Sequence, residues 1–305
     1  MRKRSFTSWV LGTVISMSLG CSTAERNEGD TEDTSAAAAW LPAATGEQAP
    51  PAGYRTFHSV TGVACHEKIV AGGQPDYVCE LNLDRGRLRT VHGSSASAAP
   101  EYQFQQTSAA SLWSSASRLN TATSTRAVMF NASMFSPAAN PTGTAFPYKQ
   151  DRSDTPGQAG SLLNYGYTSH PLTRLLSVWS NRGSISAYTN SPGDRQAYAQ
   201  SSARDVIAGL DPSAQGYSPN SWIPRTFTGL KDSDGNGTQE TVLVYASRMA
   251  TQAYATTELM SGFGAAPGSV VMFDGGGSTA LYVNGVAKID QGRRIPNAIV
   301  FYSGR

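Results

Sequence analysis

In the C-terminal third of the chain, apolar residues come in short bursts separated by polar, glycine-rich turns. Val270-Val271-Met272-Phe273 is a buried-type run of strand length, and the apolar pattern resumes at Ala280-Leu281-Tyr282-Val283. Between them stand Asp274, Gly275, Gly276, Gly277, Ser278 and Thr279. A plain hairpin needs only one or two turn residues. Three consecutive glycines cost chain entropy and leave their amides uncovered. This strand–turn–strand is the first candidate for a site, because it delivers one carboxylate to the end of a buried strand.

The same pattern reading extends upstream. Tyr77 to Leu83 alternates and predicts a strand that ends at Asp84-Arg85-Gly86, with Leu88 to His92 as its partner. Ser108 to Leu119 predicts a short helix, and Arg126 to Phe130 a strand leading into Asn131. Residues 136–160 are rich in Pro, Gly, Asn and Asp and predict a loop. Leu172 to Trp179 and Gly183 to Thr189 predict a strand pair, and Asp205 to Leu210 a short strand. Thr226 to Leu230 and Glu240 to Ser247 bracket a hairpin loop. Thr251 to Gly262 is the best helix, with Glu258 on its solvated face, and Ala298 to Tyr302 closes a sheet. The fold class is α+β: a mixed, strand-dominated single domain with few helices, spanning residues 53–305.

The first 52 residues read differently. Arg2, Lys3 and Arg4 precede a mostly apolar stretch from Phe6 to Leu19, too short for a comfortable membrane span. Residues 1–20 therefore predict a signal peptide. Gly20-Cys21 gives it lipoprotein character, with Cys21 as the lipidated residue; ordinary secretion and a retained anchor are the alternatives. Residues 21–52 hold few large apolar side chains and predict a disordered linker. Of the three cysteines, Cys65 and Cys79 remain as an even pair flanking Gly72-Gly73. They would close a short disulfide or stay as buried free thiols, and export favours the disulfide. The expected location is outside the cytoplasm, at the cell envelope or secreted.

A net charge of +2 with 15% charged residues leaves no nucleic-acid footprint and no broad acidic face. Contact with a membrane is expected only through an N-terminal lipid. There is no His-Glu-x-x-His, no Cys-x-x-Cys, no P-loop lysine after the glycines and no Gly-x-Ser-x-Gly. His58, His66, His92 and His170 lack ligand spacing. No cofactor is expected. The one weak exception is Ca2+ at Asp232, Asp234 and Asn236, which with Gly237 copy the first half of an EF-hand loop. The twelfth position is Leu243 rather than Glu, so such a site would have to recruit ligands elsewhere, and a solvated hairpin turn is the expectation.

Three stretches in order resemble the phosphodiester glycosidase family over roughly residues 126 to 305. The first is Asn131-Ala132-Ser133-Met134-Phe135 with Pro141-Thr142-Gly143; Met134 stands where the family carries an aromatic. The second is Pro224-Arg225-Thr226 with Gly229. The third is Asp274-Gly275-Gly276-Gly277-Ser278-Thr279 followed by Arg294 and Pro296-Asn297-Ala298. The resemblance implies a hydrolase that removes a sugar from a sugar-1-phosphodiester in an extracellular or envelope glycan, with that phosphodiester as its partner molecule.

That chemistry needs fixed donors for a phosphate and a carboxylate at the anomeric carbon. Asp274 and Arg225 are the catalytic candidates. Asn131, Gly275, Gly276, Gly277, Ser278 and Thr279 are the substrate-binding candidates. Each also has a purely structural reading: Asp274 accepting bonds from its own turn, Arg225 in a buried ion pair, Asn131 capping a turn. A non-catalytic module binding anionic glycans and a phosphodiesterase that breaks the P–O bond are the rival functions.

Overall fold

The computed structural model describes residues 49–69, 73–96, 102–153 and 161–305. The stretches expected to be a signal peptide and a linker, with Cys21, lie outside the described residues as far as residue 48. Four strands come first: β1 (Arg55–Val60), β2 (Val63–Ile69), β3 (Pro75–Asn82) and β4 (Gly86–His92). Helix α1 (Ala109–Ala116) leads to β5 (Thr125–Asn131). β6 (Tyr148–Asp151), β7 (Ser161–Asn164), β8 (Thr173–Val178) and β9 (Gly183–Tyr188) precede helix α2 (Pro192–Gln200). Then come β10 (Asp205–Leu210), the hairpin β11 (Ile223–Lys231) and β12 (Thr241–Ala250), and helix α3 (Gln252–Thr257). β13 (Val270–Met272), β14 (Ala280–Val283), β15 (Val286–Asp290) and β16 (Asn297–Ser303) finish the chain. The class is α+β and strand-dominated.

Two antiparallel sheets form. The larger runs β1-β2-β3-β12-β11-β13-β10-β6-β7, with β8 also on β10 and β9 on β8; the smaller runs β15-β14-β5-β16-β4. Strand alternation sorts the side chains into layers. Val128 and Phe130 of β5, with Ile299 and Phe301 of β16, join Val242, Val244 and Phe273 in the core between the sheets. Met129, Val300 and Tyr302 turn the other way and pack under Leu112 and Trp113 of α1. Leu243 and Tyr245 of β12 cover the opposite outer face, where Tyr198 of α2 and Ala255 of α3 sit. Fully burying each such side chain contributes about 1.5–3 kcal/mol, so two stacked sheets with a helix layer on each outside give a large core.

Several expectations are sharpened and some overturned: β4 is not the partner of β3 but pairs with β16 in the smaller sheet, while β3 lies between β2 and β12. Cys65 and Cys79 stand directly opposite in the β2–β3 ladder and are bonded, with Cα atoms 4.1 Å apart. The helix expected over 251–262 is α-helical only through Thr257, then widens into a π-helical turn over Glu258–Gly262. Glu258 is not solvated: it accepts a 2.7 Å bond from the Tyr54 hydroxyl and pairs with Lys68 at 2.7 Å. The 136–160 stretch contains strand β6, paired to β10 and β7. Among the described residues, no helix is long and apolar enough to cross a membrane.

Candidate active site

Where β13 ends, the Phe273 amide still bonds the Thr226 carbonyl at 3.0 Å, but the chain then crosses to the smaller sheet. The Asp274 amide donates to the Ala132 carbonyl at 3.2 Å, and the Asp274 carbonyl accepts 2.6 Å from Asn131 Nδ2. Asp274 thus stands where the two sheets are tied together at their ends. The turn itself is a short 3-10 helix, Gly276–Ser278, closed by bonds from the Ser278 and Thr279 amides back to Gly275 and Gly276. Gly276 has φ +58°, which glycine adopts without strain. At Gly277 a side chain would meet the Arg293 guanidinium at 3.0 Å. Among the described residues, the Gly276 and Gly277 amides donate no hydrogen bond, as the opening amides of a helical turn do.

Asp274 Oδ1 accepts a 3.0 Å bond from the Gly275 amide. Burial pushes this carboxyl up to about 6, against the downward pulls of the Ser278 hydroxyl, the Arg293 charge and the Gly275 amide. A group with that value changes protonation just below neutrality, the range in which acid–base catalysts work. Arg293 is exposed, and its one side-chain hydrogen bond among the described residues goes from Nη1 to Ser278 Oγ at 3.3 Å. Most of its fork remains open to an incoming anion. The exposed Tyr167 completes the mouth: its hydroxyl is pushed up by burial, then by the charges of Asp274 and Tyr217.

The structure assigns Arg225 a different position from the one expected of it. Its side chain is buried and donates to the carbonyls of Ala250 (3.2 Å), Tyr217 (3.0 Å), Ser218 (2.5 Å) and Ser221 (3.4 Å). No donor is left aimed at Asp274, and among the described residues Arg225 forms no ion pair. Arg225 instead pins the 217–221 loop, which carries Tyr217, to the β11–β12 hairpin. Asn131 is likewise a brace: fully buried, it accepts from Thr226 Oγ1 at 2.6 Å and from the Ala280 amide at 3.0 Å while holding Asp274. These contacts use its carbonyl oxygen twice and one of its two amide hydrogens, so Asn131 frames the site. Thr279 is buried with an unpartnered hydroxyl, and Ser278 is buried behind the turn, facing Asp274 and Arg293.

The sequence reading missed Arg293, Tyr167 and Tyr217. Arg294, the neighbour it noted, lines a separate cavity of about 630 Å³ together with His92, Gln150 and Arg118. Met134 is buried in the outer core. At the far end of the β11–β12 hairpin, carboxylate oxygens of Asp232, Asp234 and Glu240 lie within 4.8 Å of one another. Asn236 sits against that group as a donor: its backbone amide and its Nδ2 both donate to Asp234, and its Oδ1 accepts from the Thr238 amide.

No family model and no curated sequence matches the chain. Among solved structures, it is similar to the catalytic domain of zebrafish N-acetylglucosamine-1-phosphodiester alpha-N-acetylglucosaminidase, auto-inhibited by its pro-peptide. That match has a TM-score of 0.53 and 9% identity over 84% of this chain and 87% of that one. It is also similar to a hypothetical protein from Synechocystis, with a TM-score of 0.47 and 15% identity over 84% of this chain; it spans 64% of that protein. The zebrafish match shows a shared fold.

Proposed function

We propose that this chain is an exported hydrolase that cleaves a sugar from a sugar-1-phosphodiester in an extracellular or envelope glycan, held to the membrane by lipid on Cys21. One observation carries the reading: a carboxyl raised to about 6, Asp274, stands across a glycine turn from the open guanidinium of Arg293. The fold shared with the zebrafish catalytic domain supports it, as does the disulfide, a bond suited to oxidising compartments.

In this reading Arg293 and the Gly276 and Gly277 amides receive the phosphate oxygens. The ionised Asp274 faces the anomeric carbon. It stabilises the positive charge that builds there and takes a proton from the attacking water. The C1–O bond breaks, its electron pair leaves on the phosphate monoester, and the water oxygen ends on C1. A phosphate monoester is a good leaving group, so a second carboxyl is not required. Tyr167 and Tyr217 supply the aromatic surface beside the acid, the role that Met134 cannot fill from the core.

Hydrolysis of a sugar-1-phosphodiester in heavy-oxygen water tests the bond assignment. Label in the released sugar is expected. Label in the phosphate would show P–O cleavage and replace this reading with a phosphodiesterase.

A further inference from the structure

We propose that the β11–β12 hairpin loop is a calcium site formed by Asp232, Asp234 and Glu240. The loop runs over residues 232–240, closed by the Lys231–Thr241 pair of the ladder. Its first and last residues are therefore neighbours across the hairpin mouth, and both are acidic. Asp234 folds back to join them, so that one carboxylate oxygen from each residue lies within 4.8 Å of the others. Two oxygens bound to one Ca2+ at about 2.4 Å lie at most about 4.8 Å apart. The grouping is compact enough for a single ion to draw the three oxygens together.

Two independent observations point to a ligand. Glu240 is 3% exposed, and while its Oε1 accepts from the Ser233 amide at 2.7 Å, its Oε2 is buried with no hydrogen-bond partner among the described residues. A buried carboxylate oxygen left unpaired is costly, and a cation in the adjoining acidic group removes that cost. Second, among the ion pairs of the described residues none joins a Lys, Arg or His to Asp232, Asp234 or Glu240. Three like charges this close repel one another unless a cation sits among them.

The donor set is all oxygen, which selects a hard cation over zinc or copper. The loop bends at Gly235 (φ +77°) and Gly237 (φ +85°), whose amides donate to Asp232 at 2.7 Å each. A carboxylate oxygen so bonded keeps a second lone pair for a metal. A glycine-rich, half-exposed loop suits the variable coordination of Ca2+ better than the strict octahedron of Mg2+. The carboxylate missing at the twelfth position is supplied at the ninth, by Glu240. The site lies at the opposite end of the hairpin from Arg225 and Thr226, so calcium would lock the central strand pair that frames the candidate active site.

The test uses the full chain stripped with EDTA. Calcium titrated in a calorimeter should bind one to one, with a Kd of roughly 10⁻⁵ to 10⁻³ M. At about 100-fold that concentration it should raise Tm by roughly 5 °C or more. Magnesium should give a much smaller shift. Asp234→Ala, at an exposed position, should keep the EDTA-state Tm of the parent chain and lose the calcium response. Glu240→Gln should lose it too if that variant folds. No calcium shift in the parent chain would overturn the assignment, as would an equal shift with magnesium or a full calcium response in Asp234→Ala.

Discussion

The side chain of Asn131 and the backbone of Asp274 form a 2.6 Å hydrogen bond that joins the end of β5 to the end of β13, and so joins one sheet to the other. The same Asn131 accepts from Thr226 and Ala280, on β11 and β14. Four strands therefore meet on one buried amide, and the candidate acid is anchored by its main chain while its carboxyl is held by the Gly275 amide and the Ser278 hydroxyl near Arg293.

Replacing Asn131 with Ala strands a buried hydroxyl, a buried amide and the Asp274 carbonyl. The expected cost is about 2–4 kcal/mol of folding stability, read as a lower midpoint in urea unfolding with an unchanged slope. A change under about 0.5 kcal/mol would mean that the site is braced some other way.

Arg225 and Arg293 should separate cleanly when each is changed to Lys. A lysine at 225 cannot serve four carbonyls, so Arg225→Lys should lower stability by about 2–3 kcal/mol. Arg293 is exposed with one side-chain bond. Arg293→Lys should leave stability within about 0.5 kcal/mol and weaken substrate binding, since the planar fork is lost. Thermal unfolding and KM measured on both variants give the comparison, and a reversed pattern would return the phosphate to Arg225.

The protonation of Asp274 sets the expected pH dependence. Hydrolysis should rise with pH through about 6 as the carboxyl ionises. In Arg293→Ala the nearby positive charge is gone, the charged carboxylate is less favoured, and the acid limb of the profile should move to higher pH. A limb that moves down, or does not move, would place Arg293 away from the acid.

The same value makes a stability statement with a definite sign. The carboxyl is raised from 3.8 to about 6 in the folded chain, so its contribution is fully present below about 3.8 and is lost as pH rises through about 6. Ionised Asp274 then costs on the order of 2–3 kcal/mol at neutral pH. Asp274→Asn should therefore be more stable than the parent chain at pH 7.5, with the difference shrinking toward zero near pH 4. Chemical denaturation at the two pH values measures it.

Much of the strand framework was legible because alternation and turn residues mark it: the β11–β12 hairpin, β13 to β14 and β16 all fall where the pattern puts them. The helix after β12 was legible in position but not in its π-helical end, which no period distinguishes over five residues. At the site, residue types were legible and directions were not. Arg225 and Thr226 are adjacent on one strand, so one serves the 217–221 loop and the other serves Asn131. Arg293 and Arg294 divide in the same way between the Asp274 turn and a separate cavity. Tyr167 and Tyr217 sit in segments without periodicity, where only the tertiary fold reveals that Tyr167 lies near Asp274 and near Tyr217. Glu240 read as the start of a strand, and only the ladder register makes it the closing residue of the acidic loop.

The most direct measurement is the rate of sugar release from a sugar-1-phosphodiester by the parent chain and by Asp274→Asn, together with the affinity of each for the uncleaved substrate. Release should fall by at least about 10³-fold while binding persists, since Arg293 and the turn amides still hold the phosphate. Equal release by Asp274→Asn would contradict the assignment of the acid. Binding without any turnover by the parent chain across a broad substrate panel would make the domain an anionic-glycan-binding module instead.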